Sequence, residues 1–232
     1  VKKFILSLLI MVILFSVSIV PGSVNANASE NVKINQFDSA DAAMSGEIQL
    51  EKADYDKIFE SDEPVYLGDN LWAEEVTYDE MVSQIAENRD QSPNFVRTEM
   101  NNRESLAAPT ASYFYVHFYK TLQVGNTNWY PQLDIYAKCE GIYRDFVGIE
   151  DLNLIRSYNY DAKQFNGKCQ AKVESAKKIY WVVNGDFYNN GTTKVTFGGS
   201  VNIGEYANLS LSVESSKNHF GYIYETGYIE NR

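Results

Sequence analysis

Residues 113–119 read Tyr-Phe-Tyr-Val-His-Phe-Tyr and residues 133–139 read Leu-Asp-Ile-Tyr-Ala-Lys-Cys, and these two stretches decide the fold. Side chains alternate between the faces of a strand, so Phe114, Val116 and Phe118 share one side while Tyr113, Tyr115, His117 and Tyr119 share the other. In the second stretch Leu133, Ile135, Ala137 and Cys139 fall together, opposite Asp134, Tyr136 and Lys138. The same period of two recurs downstream. Ile179, Trp181, Val183 and Phe187 form one apolar side, Asn190-Gly191 supplies a tight hairpin turn, and Val195, Phe197, Val201 and Ile203 continue on the return strand. Leu209, Leu211 and Val213 alternate with polar residues, and a last strand runs from His219 to Ile229. Shorter strands are expected at 142–147 and near 154–160, with a bulge or bend at Gly198-Gly199. Alternation of this kind asks for one buried and one wet face per sheet, which is an antiparallel signature. The chain is therefore expected to be mainly β, an antiparallel β-sandwich or open barrel that follows an acidic, partly helical or disordered N-terminal segment.

Upstream the pattern changes. From Ser29 to Ala108 there are 19 acidic and 6 basic residues, whereas Pro109 to Arg232 holds 12 of each, so the net charge of −11 belongs to the first half. The clearest element there is a helix over 78–88: Thr77 with Glu80 makes a capping box, and Met81, Val82 and Ile85 fall on one face. Residues 105–112, Ser-Leu-Ala-Ala-Pro-Thr-Ala-Ser, read as a linker. The expected division is a signal peptide at 1–28, an acidic segment at 29–108 and a β domain at 109–232.

The signal-peptide reading rests on Lys2 and Lys3, an uncharged apolar run from Phe4 to Val20, the helix-breaking Pro21-Gly22, and small residues that allow cleavage after Ala26 or Ala28. An uncleaved anchor is the alternative, since about 17 apolar residues lie at the lower limit for spanning a bilayer. The expectation is a secreted protein with no stable membrane insertion after cleavage. An acidic chain with a neutral second half offers no phosphate-neutralising patch, which argues against nucleic acid. Export makes a disulfide the first reading of the two cysteines, Cys139 and Cys169. Closing that loop of about 30 residues would be worth roughly 3.5 kcal/mol.

Chemistry is harder to find. His117 and His219 have no third residue at ligand or triad spacing, and neither cysteine has a zinc-ligand partner. No Gly-x-Ser-x-Gly, phosphate loop, EF-hand or dinucleotide fingerprint occurs, so neither catalytic residues nor cofactors are expected. Asp134, Glu140, Asp145 and Asp186 lie in or near strands and could supply a carboxylate pair only if the fold brings two together. Tyrosine stands out instead: 14 of 17 lie after residue 108. Parity sends Tyr180 and Tyr188 away from the core, while the facing of Tyr222 and Tyr224 stays open because Phe220 shares their side and Ile223 and Ile229 the other. These four are the candidate binding surface, since amphipathic rings suit sugars and proteins, although sheets also favour tyrosine for its fit to a pleat.

The stretch Trp181-Val-Val-Asn-Gly-Asp-Phe-Tyr-Asn-Asn-Gly-Thr-Thr193, with residues 197–204 and Asn218-His-Phe-Gly-Tyr222, resembles a group of small exported proteins of Gram-positive bacteria whose function is uncharacterised. The resemblance covers the last third and implies an extracellular β domain; it transfers no functional residues. The reading that follows is a secreted, non-enzymatic binding module acting on the cell wall, an extracellular glycan or another protein. The alternatives are a toxin, bacteriocin-like factor or inhibitor whose residues 29–108 are a removable pro-region, and a hydrolase with an unrecognised site.

Overall fold

The computed structural model describes residues 47–50, 52–104, 112–189, 206–211 and 218–231, all within one compact unit spanning Asp41–Arg232. The signal peptide with Ala26 and Ala28, most of the linker, the Asn190-Gly191 turn, the strand expected at 195–203 and Gly198-Gly199 lie outside the described residues. In chain order the elements are β1 (Glu47–Leu50), α1 (Lys52–Ile58), β2 (Val65–Gly68), β3 (Leu71–Val76), α2 (Tyr78–Asn88), α3 (Pro93–Glu104), β4 (Tyr113–Thr121) and β5 (Gln132–Glu140). They continue with β6 (Asp145–Ile155), β7 (Ser157–Tyr158), β8 (Asp161–Ala162), β9 (Gln164–Ser175), β10 (Lys178–Tyr188), β11 (Tyr206–Leu211) and β12 (His219–Asn231).

Two five-stranded sheets face each other, one ordered β1-β12-β10-β9-β11 and the other β2-β3-β4-β5-β6. Every pairing is antiparallel except the edge pair β1–β12. The sheets do not close on one another, so the fold is a sandwich rather than a barrel. The expected inward sides meet between them: Val116, Phe118, Leu133, Ile135 and Ala137 from one sheet, Ile179, Trp181, Val183 and Phe187 from the other, all buried. Tyr55 and Ile58 of α1 join this core.

The helix at Tyr78–Asn88 forms as its sequence dictates. The Thr77 N–H donates to Glu80 Oε2 at 2.8 Å and the Glu80 N–H donates to Thr77 Oγ1 at 3.2 Å, satisfying two of the donors a helix start leaves open. Met81, Val82, Ile85 and Ala86 are buried against Tyr115 and Tyr136. Helix α3 begins at Pro93, where a missing N–H costs nothing, and adds Val96 and Met100 to the same cluster.

Three expectations are corrected. The division at residue 108 is not a packing boundary, because β3 on one side of it pairs with β4 on the other, from Leu71 opposite Lys120 to Val76 opposite Tyr115. The shift in composition marks a change in surface charge and not in packing. Secondly, the β4-to-β6 sheet has no wet outer face where α2 and α3 cover it: Asp134, Tyr136 and Lys138 are all buried. Thirdly, the strands expected at 142–147 and 154–160 are replaced by the single strand β6 and the short β7–β8 hairpin. Gly141 and Arg144 take positive φ in the turn that precedes β6, leaving Ile142 exposed, and Asn159 and Tyr160 do the same between β7 and β8.

Candidate binding surface

With Ile179, Trp181, Val183 and Phe187 facing inward, the even-numbered residues of β10 face out, and the ladders fix what stands beside them. Tyr180 is opposite Tyr228, Asn184 opposite Tyr224 and Asp186 opposite Tyr222 on β12. On the other flank Tyr180 meets Lys172, Val182 meets Gln170 and Asn184 meets Lys168 of β9. Burial of Ile223 and Ile229 resolves the open question on β12: Tyr222 and Tyr224 point outward, 49% and 39% exposed. Tyr180 and Tyr228 are half-buried with ring centroids 5.3 Å apart, and Lys168, Lys172 and Asn184 are exposed. The result is one tract of four rings flanked by amides and lysines on the side of the sandwich away from α2 and α3.

The tract is pre-arranged. The Tyr222 hydroxyl donates to Asn184 Oδ1 at 2.9 Å, and burial together with the charge of Asp186 raises its pKa, so it stays a donor at neutral pH. His219 Nε2 lies 2.8 Å from Asp186 Oδ1, and Lys178 Nζ stands 4.2 Å from the Tyr228 ring centroid. Tyr228, Asn184 and Lys172 were absent from the residues singled out in the sequence. Parity with Tyr224 and Tyr180 is the signal that finds Tyr228 and Asn184, while Lys172 on β9 is placed by the ladder.

Tyr188 does not belong to the tract. It is only 9% exposed and sits where the β10–β12 register shifts, with Phe220 of β12 as the extra residue. Its ring meets His219 edge-on at 5.6 Å. The disulfide is likewise corrected: Cys139 on β5 and Cys169 on β9 are free, buried thiols in opposite sheets. The Tyr55 hydroxyl sits 3.6 Å from Cys139 Sγ, and burial pushes that thiol up to about 12 and the Cys169 thiol up as well. An oxidising compartment favours a bond only between sulfurs that the fold aims at each other. Thiols held protonated in this way are also poor nucleophiles.

His117 lies on the covered side of β4, stacked on Tyr136 with ring centroids 4.3 Å apart. Its Nδ1 is 3.1 Å from Glu74 Oε1 and its Nε2 is 3.5 Å from Asp134 Oδ1. Asp134 also accepts from Gln132 Nε2 at 2.7 Å and from Asn88 Nδ2 of α2 at 3.2 Å. Burial works against a charged imidazole, but the bonds and charges of Asp134 and Glu74 outweigh it and raise the pKa. Beside this group Arg89 pairs with Asp151 and with Glu99. The arrangement sets His117 between two carboxylates, one of which, Asp134, is tied to α2 through Asn88.

Of the four carboxylates considered for hydrolysis the fold makes neighbours only of Glu140 and Asp145, cross-strand partners at the β5–β6 turn where Lys177 engages Asp145 at 2.6 Å; Asp134 lies under α2 and Asp186 on the tyrosine face. Among the described residues there is no group of three or more His, Cys, Asp or Glu placed to hold a metal ion, and no helix is long and apolar enough to cross a membrane. Compared with known proteins, the chain matches no family model, no curated protein and no solved structure.

Proposed function

We propose that this chain is a secreted, non-enzymatic binding module that attaches to an extracellular glycan through the outer face of β10 and β12. One observation carries the reading: Tyr180, Tyr222, Tyr224 and Tyr228 occupy neighbouring register positions on a face that no helix buries among the described residues. A glycan fits this face better than a protein partner does. A protein interface wants an apolar centre, whereas here Val182 is the one aliphatic residue among the outward β9 and β10 positions paired from Tyr180 to Asp186, and the rest are a ring, amides, lysines and Asp186. Sugars present C–H faces to rings and hydroxyls to amides. Removal of residues 29–108 as a pro-region would strip β2 and β3 from their sheet and uncover Tyr136, so that alternative is not adopted.

The test is binding of the purified chain to isolated cell wall and to a glycan panel. Tyr222→Ala and Tyr224→Ala should each weaken binding by more than ~1 kcal/mol if these rings are hot spots. Unchanged affinity in both variants with folding intact, or no glycan bound by the parent chain, would remove the reading.

A further inference from the structure

A second ring-lined site lies on the other sheet, where β2 and β3 turn back toward the end of β4, and it does not depend on the tyrosine face. Leu71 and Ala73 face the core, so Trp72 faces out. It is 38% exposed, whereas Trp129 and Trp181 are 4% and 1% exposed. An indole left open while its two counterparts are buried asks for a use. Trp72 borders a groove of about 240 Å³ lined with Asn70, Thr121, Leu122, Gln123 and Tyr130.

The groove is rigid by construction. Asp69 and Asn70 take φ of 48° and 56°, the pair of left-handed residues that a two-residue hairpin turn needs. Lys120 Nζ holds that turn from inside, donating to the Asp69 backbone carbonyl and to Asp69 Oδ2, the latter at 2.8 Å. The Tyr66 ring props Trp72 at 4.9 Å, and the Thr121 N–H donates to the Asn70 carbonyl at 3.1 Å. Gln123 Nε2 donates to the carbonyls of Gly125 at 3.1 Å and Thr127 at 2.8 Å. With both amide hydrogens engaged, its Oε1 is left as an acceptor.

We propose that this groove binds a single neutral pyranose residue, with the C–H face of the sugar on Trp72 and its hydroxyls on Gln123 Oε1, Asn70 and Thr121. The chemistry selects that class. All six lining residues are uncharged, which supplies no counter-charge to a phosphate, carboxylate or ammonium group, and Asn70, Thr121, Gln123 and Tyr130 bring hydrogen-bonding side chains to the side of the Trp72 ring. The volume lies below the range of drug-sized sites and suits one ring rather than a chain.

Intrinsic fluorescence tests it directly on the full chain, because Trp72 is the tryptophan an aqueous quencher reaches. Neutral monosaccharides and short neutral oligosaccharides are titrated to ~10 mM, where even a millimolar site fills, and acrylamide quenching is followed. At least one neutral sugar should shield Trp72. Trp72→Ala should lower affinity by about tenfold or more in calorimetry, and Asn70→Gly, which keeps the turn conformation but removes the amide, by several-fold. The Tyr222→Ala/Tyr224→Ala double variant should leave the shielding intact. Lack of shielding by every neutral sugar, stronger shielding by charged sugars, or shielding that vanishes in the tyrosine double variant but persists in Asn70→Gly would each overturn the proposal.

Discussion

Replacing Gly185 with alanine should be among the most damaging single-methyl changes in the sandwich. Gly185 on β10 stands opposite Gly167 on β9, and both sit at inward positions with the Phe165 ring lying over them. A Cβ at residue 185 would stand 2.5 Å from the Asn166 carbonyl oxygen, 2.7 Å from Gly167 Cα and 2.7 Å from Phe165 Cζ. Two of these atoms are backbone of the paired strand and cannot yield without opening the ladder. The third belongs to a fully buried ring that packs on Phe187 at 4.8 Å. Overpacking alone costs about 1–3 kcal/mol, and each ladder bond lost adds about 1 kcal/mol, so the expected loss is about 3 kcal/mol or more. For a unit of this size that corresponds to a fall in Tm of roughly 6–12 °C. Urea and thermal unfolding followed by near-ultraviolet circular dichroism measure it. Gly141→Ala is the control: its φ of 69° strains an alanine but nothing lies within 4 Å of the new methyl, so it should cost only about 1 kcal/mol. A Gly185→Ala protein within ~1 kcal/mol of the parent, or one less affected than Gly141→Ala, would refute the close approach of the two strands.

Two further outcomes follow from groups inside the fold. Because the folded pKa of His117 is raised, its contribution to stability should be complete below the unfolded value of about 6.5 and should fade as pH rises through the folded value. His117→Gln should flatten that part of the stability profile; Glu225, whose carboxyl burial pushes up against the pull of Lys120, acts in the same direction and is common to both proteins, so an unchanged difference between them across this window counts against the His117 assignment. In native, unreduced protein Cys139 and Cys169 should resist alkylation, and both should label once the chain is unfolded without reductant. A mass showing neither thiol labelled after unfolding would restore the disulfide.

Legibility in the sequence followed physical kind. The helix at 78–88 was readable because its cap and its apolar stripe are local, and both are present as bonds and burial. The inward sides of β4, β5 and β10 were readable because alternation reports one face directly. What covers the other face is not local. Asp134, Tyr136 and Lys138 look solvated in the sequence, yet Asn88 bonds Asp134, Gln84 accepts from the Tyr136 hydroxyl at 3.2 Å, and Lys138 stands 3.6 Å from Glu150 and 3.8 Å from the Tyr113 ring centroid. A satisfied polar network and a wet surface use the same residue types, so period-two patterning cannot separate them. The β2–β3 hairpin was missed because its strands are short and carry Glu74 and Glu75, although the Asp69-Asn70 turn between Leu67 and Leu71 was a usable signal.

The tyrosine face shows where the same reasoning stops. From Lys178 to Phe187 the β10–β12 ladder tolerates parity arguments on its outer side: Tyr180, Asn184 and Asp186 meet Tyr228, Tyr224 and Tyr222 in turn. One residue later the register slips, and Tyr188 is buried beside His219 instead of joining the row. The extra residue there is Phe220 on β12, while Tyr188 keeps its register with Gln164 of β9, so membership in a strand-borne surface can be read only as far as the ladders on both flanks are regular. Bulges are set by the partner strand as much as by the strand that carries them. Tyr228, opposite Tyr180 within the regular part of the ladder, was therefore recoverable from sequence, while the burial of Tyr188 at its irregular end was not.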